Sequence, residues 1–321
     1  MLAAQDTKRP ETVEELLGRE LMSRLDRLDV LTRKVFSGKL PGERRSKKRG
    51  QSVEFDDYRQ YVPGDDLRHI DWNVLARFDK FFLKLFREEE DLGVQIVLDC
   101  SASMDAGAPS KLIAAARAAT ALGYVGLVNQ NRVSISRFGR PGDTGLRSLS
   151  AIRGRGNFKR LASFVLDGVG PLPPDVRTKG DPPDFNDMMR TLALTRRGKG
   201  VLILISDGLF REGFLPGLNF LAGDSYDAYF VQILSPDELD PTLQKDRVSG
   251  DLRFTDAETG AAAEVTVSAD LIKRYRARLE AYLGDLEAVC RARSIRHLLV
   301  PSDTPVDVLV LEMLRKRGLL G

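Results

Sequence analysis

Two short polar motifs, each closing an apolar run, are the residues of this 321-residue sequence best suited to chemistry. VQIVL ends in Asp99-Cys100-Ser101-Ala102-Ser103-Met104-Asp105, and VLILI ends in Ser206-Asp207-Gly208. A carboxylate and two hydroxyls at alternate positions can turn toward one point. Such an all-oxygen donor set suits a hard cation, Mg2+ or another divalent ion. Asp207 is the residue expected to complete the set, directly or through water. Mg2+ demands near-octahedral coordination and keeps water, so the site would leave a position open to an outside carboxylate. The plainer alternative for Asp99, Ser101 and Ser103 is capping of a helix start. For Asp207 it is an ordinary turn closed by Gly208.

The two motifs can meet only if their runs are neighbouring strands. From residue 93 onward VQIVLD, RVSISRF, VLILIS, DAYFVQIL and IRHLLV are short, mostly continuous apolar runs, as strands of a buried parallel sheet read. Helical segments are expected between them, at roughly 109–129, 156–166, 184–196, 212–223, 269–293 and 305–317. The pattern predicts an α/β fold with a doubly wound, mostly parallel sheet. In such sheets ligands sit beyond the carboxyl ends of the strands, where both motifs fall.

Around this core the sequence adds several attachments. Val13, Leu17, Leu21, Leu25, Leu28 and Val35 have the spacing of one amphipathic helix over residues 12–35. A loop with Arg44, Arg45, Lys47, Lys48 and Arg49 follows. QSVEFDDYRQYV and FFLKLFREEE read as strands of a small antiparallel unit. Between them Asp65, Asp66, Arg68, Asp71 and Arg77 read as a salt-bridged structural latch fastening those strands to the main sheet, with Trp72 as a packing anchor. DLRFTDAETGAAAEVTVS reads as a β-hairpin that can join the same satellite sheet. Residues 167–183 are Pro- and Gly-rich and read as a surface loop. The expected division is 1–49 (helix and basic loop), 50–92 (satellite strands), 93–250 (core), 251–268 (inserted hairpin) and 269–321 (helix-strand-helix completing the core).

Composition narrows the function classes. Lys and Arg number 49 against 46 Asp and Glu, too even for the whole-chain field to predict nucleic-acid binding. The Arg44–Arg49 run is the local exception, with a solvated loop as the plainer reading. Cys100 and Cys290 are far apart and read as buried thiols. His69 and His297 have no metal-ligand neighbours, and His297, within the apolar run IRHLLV, reads as a satisfied structural residue. The amino terminus lacks the apolar core of a secretory signal, so a cytoplasmic location is expected. Leu112–Val128 contains Arg117, is shorter than the ~20 residues of a membrane span, and reads as a core helix. No G-x-S-x-G, H-E-x-x-H or P-loop pattern is present, and Asp99 has no second acid at D-x-D spacing. A non-catalytic role is therefore expected. A Mg2+-dependent phosphotransferase or hydrolase using Asp99 is the alternative, and nucleic-acid binding through the basic loop is a third.

The D-x-S-x-S and S-D-G motifs resemble the metal-ion-dependent adhesion site of von Willebrand factor A domains. That resemblance implies Asp99, Ser101, Ser103 and Asp207 as metal residues and a von Willebrand factor A-like fold. The pattern's Thr position is held here by Pro183, with Asp184 as the candidate substitute. The chain is further identified as similar to a bacterial group, the domain of unknown function family 58. That likeness rests on Glu54-Phe55, Tyr58-Arg59, Tyr61, Pro63-Gly64-Asp65-Asp66, Arg68, Ile70-Asp71-Trp72 and Ala76-Arg77, and continues through Lys84, Phe86 and Glu89 into the Asp99 motif and the closing TPVDVLVLEMLRKRGLL. It implies a protein partner, a MoxR-type AAA+ ATPase, with this chain as adaptor.

Overall fold

The computed structural model describes residues 9–31, 54–63, 67, 70–78, 80–87, 92–171, 184–196, 198–210, 212–223, 225–244, 250–255 and 262–321. Residues 1–37 and 92–321 form one compact unit, and residues 38–91 form a second. At the amino terminus the expected single helix is two short ones, α1 (Val13–Leu16) and α2 (Arg19–Leu25). Thr12 and Glu15 form a capping box that starts α1. Leu17 then turns extended, at φ −145° and ψ 100°, and Gly18 stands at the N-cap of α2. Burial explains the break: Leu16, Leu17 and Leu25 all enter the core, each 2% exposed or less.

The second unit pairs β1 (Glu54–Gln60), across an intervening α3 (Trp72–Phe78), with β2 (Phe82–Arg87) in antiparallel register, as expected. Asp71 is the cap of α3. Its carboxylate accepts from the backbone N–H of Asn73 at 2.9 Å and Val74 at 3.3 Å, and from the Tyr58 hydroxyl at 2.8 Å. Trp72 is not the packing anchor the sequence suggests, being 63% exposed. Ile70 and Leu83 face each other across an isolated bridge and fill the interior instead, which leaves the indole at the helix start in solvent. Arg77 is also exposed. Asp65, Asp66, Arg68, His69 and Arg44–Arg49 lie outside the described residues, as does Pro183.

The first unit continues with β3 (Gly93–Asp99), α4 (Lys111–Val128), β4 (Arg132–Phe138), β5 (Arg147–Ile152), α5 (Phe158–Val169), α6 (Phe185–Thr195), β6 (Gly200–Ser206), α7 (Leu215–Leu221), β7 (Tyr226–Leu234) and α8 (Pro236–Leu239). The hairpin strands β8 (Gly250–Thr255) and β9 (Ala262–Val267), helix α9 (Ala269–Ala292) and β10 (Arg296–Pro301) follow. The chain closes with α10 (Val306–Val308), a π turn (Leu309–Met313) and α11 (Leu314–Lys316). Strand order is β10-β7-β6-β3-β4-β5, parallel throughout except for antiparallel β5 at one edge. Strand β5 escaped the sequence reading because its edge position leaves most of RSLSAI exposed, with no apolar run. The β8–β9 hairpin forms as expected but is a two-stranded sheet of its own rather than an addition to β1–β2.

Strand alternation builds two cores. Val94, Ile96 and Leu98 of β3, with Val201, Ile203 and Ile205 of β6, face a layer containing α1, α2, α4, α5 and the carboxyl-terminal helix. Val97, Leu202 and Leu204 face the opposite layer of α6, α7 and α9. The result is a doubly wound α/β unit with helices on both faces. Helix α4 is long and apolar enough to cross a membrane by length and composition, and 83% of it is buried inside the protein as a core helix.

Candidate functional site

The chain lays down β3 first, places β4 and β5 on one side, then crosses to set β6 on the other. Strands β3 and β6 are thus neighbours at the point where the winding reverses, the usual ligand crevice of such sheets. Leu98 pairs with Ile205, which puts Asp99 and Ser206 side by side at the two carboxyl ends.

Asp99 is 1% exposed and fixed from two directions. Its Oδ1 accepts from the Ser101 backbone N–H at 2.9 Å, and its Oδ2 from the Ser206 hydroxyl at 2.6 Å. Ser206 Oγ in turn accepts from the Gly208 N–H at 3.0 Å. Ser101 Oγ and Ser103 Oγ stand 3.1 Å apart. Gly139, at φ +76°, permits this loop to lie against β4: a Cβ there would come 3.0 Å from the Ser101 backbone nitrogen. Asp99, Ser101 and Ser103 are therefore drawn together as the sequence suggests, with Ser206 joining them.

Asp207 is placed differently. Its Oδ1 accepts from the Leu209 N–H at 3.0 Å, and its Oδ2 accepts from the Lys111 ammonium at 2.9 Å. Lys111 is fully buried and also donates to Glu238 Oε1 at 2.5 Å. Burial alone would pull the Lys111 pKa down, but the Asp207 and Glu238 charges outweigh it and hold the pKa above the ordinary lysine value. Sequence reasoning missed Lys111 and Glu238. The available signals were a cation at the first position of the apolar helix KLIAAARAATALGYVGLV, and the capping box Ser235-Pro-Asp-Glu238 directly after β7.

Surrounding groups fix this end of the sheet. Gln232 donates to the Asp207 carbonyl at 2.8 Å and accepts from His297 Nε2 at 2.9 Å, so His297 is the satisfied structural residue expected. Burial lowers its pKa. From α9, the Tyr282 hydroxyl donates to the Gly208 carbonyl, and Tyr275 donates to the Glu238 carbonyl at 2.7 Å. Cys100 and Cys290 are both buried free thiols, as expected. Asp184 serves as the N-cap of α6, accepting from Asn186 N at 2.8 Å and Nδ2 at 3.1 Å. Among the described residues no hydrogen bond joins it to the Asp99 group.

Burial, then the Asp207 charge, pushes the Asp99 pKa up from 3.8 to about 7. Between these values the folded state binds the extra proton, so its stability falls as pH rises. Each tenfold difference in proton affinity is worth ~1.4 kcal/mol, so ionising Asp99 costs the metal-free fold on the order of 4 kcal/mol. Asp99→Asn removes that cost. In urea unfolding with chelator, the stability of the variant relative to wild type is expected to climb from pH 4 to about pH 7 and then level off. A difference that stays flat over this range would show that Asp99 is ionised without penalty.

The donor set can be tested against the cation it suggests. Asp99 accepts from the Ser101 backbone N–H and the Ser206 hydroxyl, the Ser101 side chain also bonds to it, and the Ser103 hydroxyl stands 3.1 Å from that of Ser101. These oxygens fit a hard divalent cation that keeps water in its remaining positions. Asp207 Oδ2, by contrast, is held by the Lys111 ammonium.

Proteins similar to this chain are found both by sequence and by structure. Uncharacterized proteins of Mycobacterium tuberculosis and Mycobacterium bovis are each 25% identical over 307 residues, covering 94% of this chain and 92% of theirs. Among solved structures, an aerotolerance-related membrane protein from Bacteroides fragilis matches 70% of this chain and 99% of its own at 14% identity, with a TM-score of 0.40. A von Willebrand factor type A protein from Catenulispora acidiphila matches 74% of this chain and 43% of its own at 12% identity, with a TM-score of 0.38. The model of the family described as protein of unknown function DUF58 matches residues 57–282, more than half of the sequence, and the chain belongs to that family.

Proposed function

We propose that this chain is a non-catalytic protein-interaction module that grips a carboxylate of a partner protein through a divalent cation on Asp99, Ser101 and Ser103. The observation that carries this reading is the meeting of a buried carboxylate and two hydroxyls at the switch point of the sheet. The cation would be Mg2+ or a similar hard ion, supplying an open coordination position for the outside carboxylate. The protein's own work is positional. Ser206 and the Ser101 N–H hold the Asp99 carboxylate, while Gly139 admits the loop that carries Ser101 and Ser103. The partner proposed from the family resemblance is a MoxR-type AAA+ ATPase, with this chain acting as its adaptor in the cytoplasm.

The test compares wild type with Asp99→Ala, both checked by circular dichroism, for capture of a purified MoxR-type ATPase in Mg2+ or in chelator. Capture by wild type in Mg2+ is expected to fall at least tenfold with either change. Equal capture in all conditions would show that the cation site plays no part and that another surface binds the partner.

A further inference from the structure

We propose that Lys111 keeps Asp207 out of a bound cation's coordination shell and thereby sets the cation affinity of the Asp99 site low. This rests on the metal reading of Asp99, Ser101 and Ser103 and adds a residue that tunes it. The Lys111 side chain has no exposed surface, and its ammonium is held between Asp207 Oδ2 and Glu238 Oε1. It cannot swing into solvent to release Asp207. Its backbone is fixed as well, since Ser110 caps α4 and the Lys111 N–H donates to the Ala106 carbonyl at 3.3 Å. Asp207 Oδ1 is engaged by the Leu209 N–H, which fixes the carboxylate toward the ammonium.

Asp207 adjoins Ser206, whose hydroxyl bonds directly to Asp99. Its charge acts on Asp99 directly, so it is a second carboxylate within electrostatic reach of the candidate cation site, and Lys111 competes with any cation for it. Hard cations gain affinity with the number of charged oxygens they collect. A protein ammonium fixed on Asp207 takes one such oxygen away permanently and leaves a site that binds and releases its cation readily.

Net charge and availability of Asp207 can be separated by mutation. Asp99, Asp207, Glu238 and Lys111 together carry a formal charge of −2, and the double variant Lys111→Met/Glu238→Gln, with only Asp99 and Asp207 charged, carries the same. The amide oxygen that Glu238→Gln introduces can still accept from the Ser235 N–H, preserving the cap of α8. Any change in affinity therefore reports release of Asp207 rather than added charge.

Mn2+ binding would be measured by titration calorimetry, and melting temperature with and without Mn2+, for wild type, the double variant, and the double variant carrying Asp99→Ala. A second pair, Lys111→Gln/Glu238→Gln, replaces the ammonium by an uncharged donor to Asp207 and guards against failure of the first to fold. The double variant is expected to bind Mn2+ at least tenfold more tightly than wild type and to gain a Mn2+-dependent rise in melting temperature. The Gln pair should tighten about threefold, and Asp99→Ala should abolish the gain. Binding by the double variant where wild type shows none would support the proposal in its strongest form. Wild-type affinity in both pairs would overturn it while leaving the Asp99 site intact. No Mn2+ binding by any of the proteins would overturn both.

Discussion

Lys111→Ala is expected to destabilise the metal-free protein by ~3–5 kcal/mol, the usual effect of removing one partner from a buried ion pair. Asp207 bears most of the loss. Its side chain is 1% exposed, so its charge has no route to water, whereas Glu238, at 23%, can turn outward. The exposed pair Arg274–Asp270 provides the contrast. With side chains 76% and 63% exposed, its disruption should cost ~0.5 kcal/mol or less. Urea unfolding at neutral pH in chelator measures both. If Lys111→Ala lost no more than the surface pair, the charge on Asp207 would have to be absent or solvated in the folded protein.

The second large effect is expected at the opposite end of the same strand pair. Gly93 and Gly200 are direct partners across β3 and β6, and a Cβ on Gly200 would lie 1.9 Å from the Gly93 carbonyl oxygen and 2.7 Å from its carbonyl carbon. These are backbone atoms in a central strand, so no rotamer change relieves the clash and the strands must part. Gly200→Ala should therefore exceed the ~1–3 kcal/mol typical of overpacking. It should also loosen the alignment that brings Asp99 to Ser206. Gly284, in α9 with nothing within 4 Å of its Cβ position, is the control. Alanine there should be neutral or stabilise by ~0.5–1 kcal/mol. Thermal melts of the two variants decide the matter: a Gly200→Ala protein that melts with wild type would mean β3 and β6 do not approach this closely.

Much of the sheet was legible because its strands are buried on both faces and read as unbroken apolar runs. Edge strand β5 was not, because half-solvated RSLSAI carries too little hydrophobic signal. Within the site, Asp99, Ser101 and Ser103 share one loop, so their meeting is a local property that spacing can announce. The Lys111 pairing is not local. Lys111 stands 96 residues from Asp207 and 127 from Glu238, and no short-range pattern links them. Trp72 failed for a related reason: composition marks an indole as good core material, but the Asp71 cap and the Ile70–Leu83 bridge decided which side chains turned inward.

The sequence by itself determined the alternation of strands and helices, the family, and the polar loop that ends β3, because each is written in residues close together in the chain. Only the tertiary structure decided what charge surrounds that loop. Packing α4 against the sheet buried an ammonium beside Asp207, and a buried carboxylate takes the nearest cation the fold provides.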